Sequence, residues 1–215
     1  PGVTPYYLNQ LCGKVFKQYN AVSAPRLIYG APVHAFISVN DAIVHGLPTQ
    51  RELQPGDVVK LDVTPFVEGY IVDTAVSVVV PPISRQKQKL IECAEQAFWK
   101  AMRIIRSDQH LKEIGRTIET YVKRQGFQII RELSGHSVGH SIHEEPEVLN
   151  FHNPTEKRLL TEGLVLAVEP MIADGNPNVI EAKDGGTIKT RDGSLTAHFE
   201  HTIVVTNNKP IILTL

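Results

Sequence analysis

The chain has 215 residues, 42% of them hydrophobic, and a formal net charge of −1. That size and apolar content suit one globular domain over residues 1–215, built from two halves of about 1–82 and 83–215. The near-neutral balance excludes an electrostatic footprint for nucleic acid or an anionic membrane. No apolar run is long enough to span a bilayer, and no signal-peptide pattern stands at Pro1.

The predicted elements run as follows. Thr4-Pro5 resembles a helix start, and Leu8, Leu11, Cys12, Val15, Phe16 and Tyr19 follow helical spacing after it. Residues 35–39 and 57–80 are rich in Val and Ile and read as strands, closed by Pro81-Pro82. Ser84 is the expected N-cap of a second helix, with Leu90, Ala94, Ala97, Phe98, Ala101, Met102 and Ile105 on its apolar face. Ser107 or Asp108 is expected to cap a third, which carries Leu111, Ile114, Ile118, Tyr121 and Val122 and stops before Gly126. Strand-like runs return at 164–169, 186–190, 198–205 and 211–214. Helices segregated from a mainly antiparallel sheet make the fold class α+β. Cys12 and Cys93 both fall on apolar helix faces. Reduced, buried thiols are expected there rather than a disulfide, which points to a reducing compartment such as the cytoplasm.

Four carboxylates and a histidine carry the chemistry. Asp62 and Asp73 lie on two apolar runs joined by Pro65-Phe66-Val67-Glu68-Gly69. A reversal at Val67-Glu68 would pair residues whose numbers sum to 135, setting the two aspartates directly opposite on one face. Like charges so placed are destabilising, and a cation between them removes the penalty. The competing reading is a solvated face bearing two aspartates. Asp57 carries less information, because Pro-Gly-Asp is an ordinary turn into a strand.

The segment Gly135-His136-Ser137-Val138-Gly139-His140-Ser141-Ile142-His143-Glu144-Glu145-Pro146 is the densest titratable run. On a helix, His136, His140 and His143 would share a face and form a mononuclear zinc site. Its glycines, serines and proline disfavour a helix, so extended or looped backbone with separate roles for the histidines is the leading reading. His34, His110, His140 and His152 are read as hydrogen-bonded structural residues. Farther on, Glu169 ends the apolar run Leu164–Val168, and Glu200 is embedded in Ala197–Val205. A glutamate in a buried strand is costly unless paired or metal-bound. No base flanks either one closely, which leaves a distant ion pair as the alternative. His201, next to Glu200, points to the other face of a strand.

In this order, the two aspartates eleven apart, GHSVGHSIHEEP, AVEPM, KDGGTIKTRDGSLTAHFEHT and the upstream NDAIVHGLP resemble the type I methionine aminopeptidases of the pita-bread metallopeptidase superfamily. The resemblance runs from Pro1 to the C-terminus, with no room for the insertion of the type II branch. It implies a curved antiparallel sheet covered by helices. It implies that Asp62, Asp73, His136, Glu169 and Glu200 hold two divalent ions. Co, Mn, Fe or Zn would each suit such donors. His45, His143 and Glu169 would be catalytic, Glu169 as proton shuttle and the histidines on the substrate. The substrates implied are N-terminal peptides of nascent proteins, met close to the ribosome by a monomeric enzyme. Other first-residue preferences, or a binding module that lost catalysis, are the alternatives.

Three departures stand out. The residues aligned with the family's methionine pocket are Ile28, Ala31, Phe36, Ile142 and Gly186, where relatives carry mostly aromatic residues. Lys60 stands where many relatives have an asparagine that helps bind a monovalent cation with the equivalent of Asn40, so its ammonium is expected to replace that ion. Relatives also carry a further helix before the position of Pro1.

Overall fold

The computed structural model describes residues 1–215. The first half holds α1 (Pro5–Gln18), β1 (Val22–Ser23), α2 (Ala24–Tyr29), β2 (Phe36–Val39), β3 (Ala42–Val44), β4 (Val58–Val63), β5 (Pro65–Val67), β6 (Tyr70–Ile71) and β7 (Thr74–Val79). The second opens with α3 (Arg85–Met102), α4 (Lys112–Arg124), β8 (Gln128–Ile129), β9 (Gly135–Ser137) and β10 (Glu144–Val148). It ends with β11 (Val165–Val168), β12 (Met171–Ala173), β13 (Val179–Glu181), β14 (Ile188–Thr190), β15 (Thr196–His198), β16 (Glu200–Val204) and β17 (Ile211–Ile212).

Local chemistry explains the ends of most helices. Thr4 accepts the Tyr7 N–H at 3.0 Å and Pro5 occupies the first turn of α1. Ser84 accepts the Lys87 N–H at 3.3 Å at the start of α3. α4 differs from expectation. It begins after Leu111 with no side-chain cap, because Asp108 sits at φ 65 and an N-cap needs extended backbone. The short α2, which hydrophobic periodicity did not reveal, starts at Ala24 with Pro25 in its first turn and stops at Gly30.

The main sheet runs β10-β9-β11-β16-β7-β4-β2, with β17 also on β16, and its pairings are antiparallel. Three small three-stranded sheets buttress it. The largest core lies between the sheet and α3–α4. There Leu90, Ala94, Phe98, Ile114, Ile118 and Val122 close on Leu166, Val168, Ile203 and Val205. Leu8 and Cys12 of α1 pack on a second cluster around Ile37 and Val59. Both cysteines are free thiols, and burial pushes that of Cys93 up to about 12.

The expected hairpin register is corrected by two positions. The reversal lies at Glu68-Gly69, with φ of 51° and 91°, so that Val67 pairs Tyr70. Both central residues of such a turn need positive φ, which Gly69 takes freely and a β-branched Val67 would resist. Asp62 therefore opposes Ala75 rather than Asp73. A shift of two preserves the face, since side chains alternate with period 2.

Asp57, read above as an ordinary turn residue, anchors the loop before β4. It accepts from Arg51 at 2.7 and 3.2 Å, Asn40 Nδ2 at 2.8 Å and the Gln54 N–H at 2.9 Å. Burial pushes its carboxyl up, but these donors outweigh burial and lower it from 3.8 to about 2. A depressed folded pKa means that the stabilisation is complete above about pH 4 and is lost as pH falls through about 2. Asp57→Asn should lower stability at pH 7 by about 1.5–3 kcal/mol and flatten the melting-temperature curve between about pH 4 and 2. Parallel curves for variant and wild type would contradict this.

Candidate metal centre

Five neighbouring strands each deliver one of the predicted donors. In sheet order these are His136 on β9, Glu169 just past β11, Glu200 at the head of β16, Asp73 just before β7, and Asp62 on β4. Glu200 and Asp62 oppose Ala75 from its two sides, and Asp73 lies two residues before it. The three carboxylates thus share a face, around a small residue that leaves them room.

The surroundings fix each backbone. Asp73 accepts Thr64 Oγ1–H at 3.0 Å, and its main chain is clamped by Thr202, whose hydroxyl accepts its N–H at 2.7 Å and donates to its carbonyl at 2.8 Å. Asn150 Nδ2 donates to the Glu169 carbonyl at 2.9 Å. His136 Nδ1 lies 3.0 Å from the Ser137 carbonyl, an acceptor, so the proton belongs on Nδ1 and the Nε2 lone pair faces the carboxylates. A Cβ on Gly135 would fall 2.3 Å from the Ala167 carbonyl, so only glycine lets β9 approach β11 this closely.

To be ionised at neutral pH, these carboxylates need a cation among them. Asp73, Glu169 and Glu200 are buried, and none of them has a salt bridge to Lys or Arg. Burial and mutual repulsion hold these three carboxyls well above the ordinary range, and burial raises Asp62 as well. Burial lowers His136 to about 4, which leaves a neutral imidazole able to ligate. Asp62 Oδ1 and Glu200 Oε1 are buried without hydrogen-bond partners. Two donor groups, Asp73–His136–Glu200 and Glu169–His198–Glu200, each have their atoms within 4.8 Å and share Glu200. The residues present fit a divalent metal centre.

Sequence reasoning passed over His198. It is buried, burial lowers it to about 4, and its Nε2 lies 3.5 Å from Glu169 Oε2 and 3.6 Å from Glu200 Oε2. Its two-residue spacing from Glu200 was the available signal.

Above this floor opens a cavity of about 480 Å³ that Asp62 and Asp73 also line. Of the predicted pocket residues, Ala31, Phe36, Ile142 and Gly186 line it, as do His45 and His143. Ile28 does not. It is exposed, and the next residue, Tyr29, lines the wall and meets His143 Nδ1 through its hydroxyl at 3.1 Å. Both residues are exposed, and the rotation of about 100° between adjacent helical residues puts Tyr29 rather than Ile28 at the cavity. The His143 ring stands 4.4 Å from that of His136, and the His45 ring 5.0 Å from Phe36. Residues 138–143 are irregular, which rules out the helical three-histidine arrangement, and His140 instead meets Tyr70 and the Gly69 carbonyl. His201 faces away toward Phe98 and Thr214.

The model of metallopeptidase family M24 matches residues 1–207. This chain belongs to that family. It is 38% identical, over its whole length and 87% of the relative, to methionine aminopeptidase 2 of Bacillus subtilis strain 168. The crystal structure of the methionine aminopeptidase from Rickettsia prowazekii superposes with a TM-score of 0.96 at 36% identity, covering the whole chain and 87% of that one. The Xaa-Pro dipeptidase of Bacillus anthracis, at 20% identity and a TM-score of 0.73 over the whole chain and 53% of its own, shares the fold alone. The sheet is accordingly the pita-bread sheet, and the chain is a hydrolase of the methionine aminopeptidase branch that uses divalent metal.

Lys60 is almost wholly buried beneath this centre, with Nζ 2.8 Å from the Asn40 carbonyl. Burial lowers it to about 7, against the opposing pull of Asp41 and Asp57. The same carbonyl accepts from Thr196 N and Oγ1 at 3.1 and 3.0 Å. At about pH 6, below the lowered value, the side chain is an ammonium; exchanging K⁺ for Na⁺ or a bulky organic cation there should leave the melting temperature unchanged, and Lys60→Asn should acquire a dependence. A K⁺-sensitive wild type would refute the substitution of ion by side chain.

Proposed function

We propose that the chain is a dinuclear metal-dependent aminopeptidase that hydrolyses the first peptide bond of proteins and peptides, removing the initiator methionine when the second residue is small. The observation that carries this reading is the set of buried carboxylates with no basic partner, on the floor of an open cavity, in a chain of family M24. Asp62, Asp73, His136, Glu169 and Glu200 would hold two ions, Co, Mn, Fe or Zn. When bound, these supply Lewis-acid polarisation of the carbonyl and activation of water near neutral pH.

The remaining work falls to the side chains. The substrate's free, unprotonated α-amino group would bind at the metal-holding floor, which favours a chain terminus over an internal bond. Glu169 accepts a proton from the attacking water and delivers it to the leaving amine nitrogen. Burial and neighbouring imidazoles lower His45 and His143, so both are neutral at pH 7 and present N–H groups to the substrate carbonyl and the tetrahedral intermediate. The first side chain would sit against Tyr29, Ala31, Phe36, Ile142 and Gly186. We place this activity in the cytoplasm, on nascent chains near the ribosome, in a monomer.

A second reading keeps the reaction and changes the first residue. It is favoured by Ala31 and Gly186 in the cavity wall, since one methylene of fit is worth only about 1–3 kcal/mol of selectivity. Hydrolysis of a peptide panel varying the first two residues, with added Mn²⁺ or Co²⁺, separates them. Met-Ala-Ser should head the panel, and a better Xaa-Pro substrate would displace the methionine reading. Glu169→Ala should lose about 10²–10⁴-fold in turnover, as expected for a proton-transfer group. Asp73→Ala should be inactive. Activity of either within tenfold of wild type would sink the site assignment. A protein that purifies and folds without binding divalent ions would instead be a binding module.

A further inference from the structure

His198 brings a second imidazole against two of the candidate ligands. Glu169 is bracketed by two rings: His136 Nε2 lies 3.3 Å from Oε1, and His198 Nε2 lies 3.5 Å from Oε2. The same His198 nitrogen lies 3.6 Å from Glu200 Oε2, so it faces one oxygen of each glutamate almost equally. Both ring nitrogens are buried without a hydrogen-bond partner, a cost that a folded protein normally removes. The ring has little freedom to turn elsewhere. Ser77 Oγ accepts the His198 N–H at 2.9 Å and donates to its carbonyl at 2.7 Å, while β15 is pinned to β12 through Met171.

We propose that His198 is a positioning residue whose Nε2–H bridges the Oε2 atoms of Glu169 and Glu200, fixing how far apart these two ligands stand and turning their other oxygens to the metal. This deepens the metal-centre reading and rests on it. Ionised carboxylates only accept hydrogen bonds, so the nitrogen between them must carry the hydrogen. A movement of a few tenths of an ångström brings both contacts to hydrogen-bond length. Glu200 Oε1, buried and unpartnered, is then left for a cation. Groups that orient ligands in this way change metal affinity when removed, without touching the ion.

The test compares His198→Leu, which fills the space without a donor, with His198→Gln, which restores an N–H. Co²⁺ affinity is measured by chelator competition, and the visible spectrum of the loaded protein is recorded. The leucine variant should bind about 10–100-fold more weakly with altered bands, and the glutamine variant should recover most of both. X-ray absorption of the loaded wild type should count one imidazole on the metal pair, that of His136.

Unchanged affinity in a folded leucine variant overturns the proposal, even if its melting temperature falls. Two imidazoles in the wild type, or no recovery with glutamine, overturns it in favour of direct ligation. If neither variant folds, the imidazole count still decides. A wild type that binds no Co²⁺ fails the metal-centre reading itself, which distinguishes that failure from this one.

Discussion

Mutual repulsion among buried carboxylates is the constraint around which the molecule is arranged. Asp73, Glu169 and Glu200 have left water and, with Asp62, converge without a basic partner. Burial of an ionised carboxylate costs several kcal/mol even after relaxation, and each one raises the cost of the next. Without a cation the relief is protonation, as the raised carboxyls show; a cation of comparable charge is the relief that leaves them ionised. The surrounding strands must therefore hold the donors together before a cation arrives, so the rigidity of the sheet is a functional requirement.

That rigidity comes from sources remote from the donors. Five adjacent antiparallel strands fix their spacing through backbone hydrogen bonds, and the core under α3 and α4 holds the sheet from one side. Hydroxyls of Thr64, Thr202 and Ser77 lock individual donors or their backbones. Glycine does the rest where strands must touch. Gly135 lets β9 approach β11, and a Cβ on Gly46, beside His45, would fall 2.5 Å from the Ile37 carbonyl. Buried Lys60 is tied to the Asn40 carbonyl, and Asn40 is held by Asp57, which Arg51 pairs.

Period-2 alternation made much of this legible from the sequence. Misplacing the hairpin turn by one residue moved the pairing by two, so Asp62 and Asp73 kept the same face although they are diagonal rather than opposite. The face of the five candidate ligands depends on parity, which survives such errors. The chemistry of Glu169 and Glu200 was visible because each interrupts an apolar run. What stayed hidden lacks a repeating pattern. α2 is a six-residue helix, too short for hydrophobic periodicity. Tyr29 and Ile28 exchanged places because only the helix rotation tells them apart. His198 was obscured by the larger cluster at 135–146, although its spacing from Glu200 obeys the same parity rule as the aspartates.

Reaction and substrate are accordingly written in different parts of the chain. The floor is built from strands whose register tolerates no single-residue slip, so every donor is bound to every other through the sheet. Part of the wall is built from a short helix, the loop after it and the turn at 184–186, outside the main sheet, whereas Phe36 lies on β2 paired directly with Asp62. A change of side-chain volume at Ala31 or Gly186 alters what the cavity admits and leaves the donors where they are. A Cβ at Gly135 would push His136 off its strand and alter the chemistry itself. On the proposed function, the floor is the part that cannot vary without loss of the reaction, and the wall would set which first residue is cleaved.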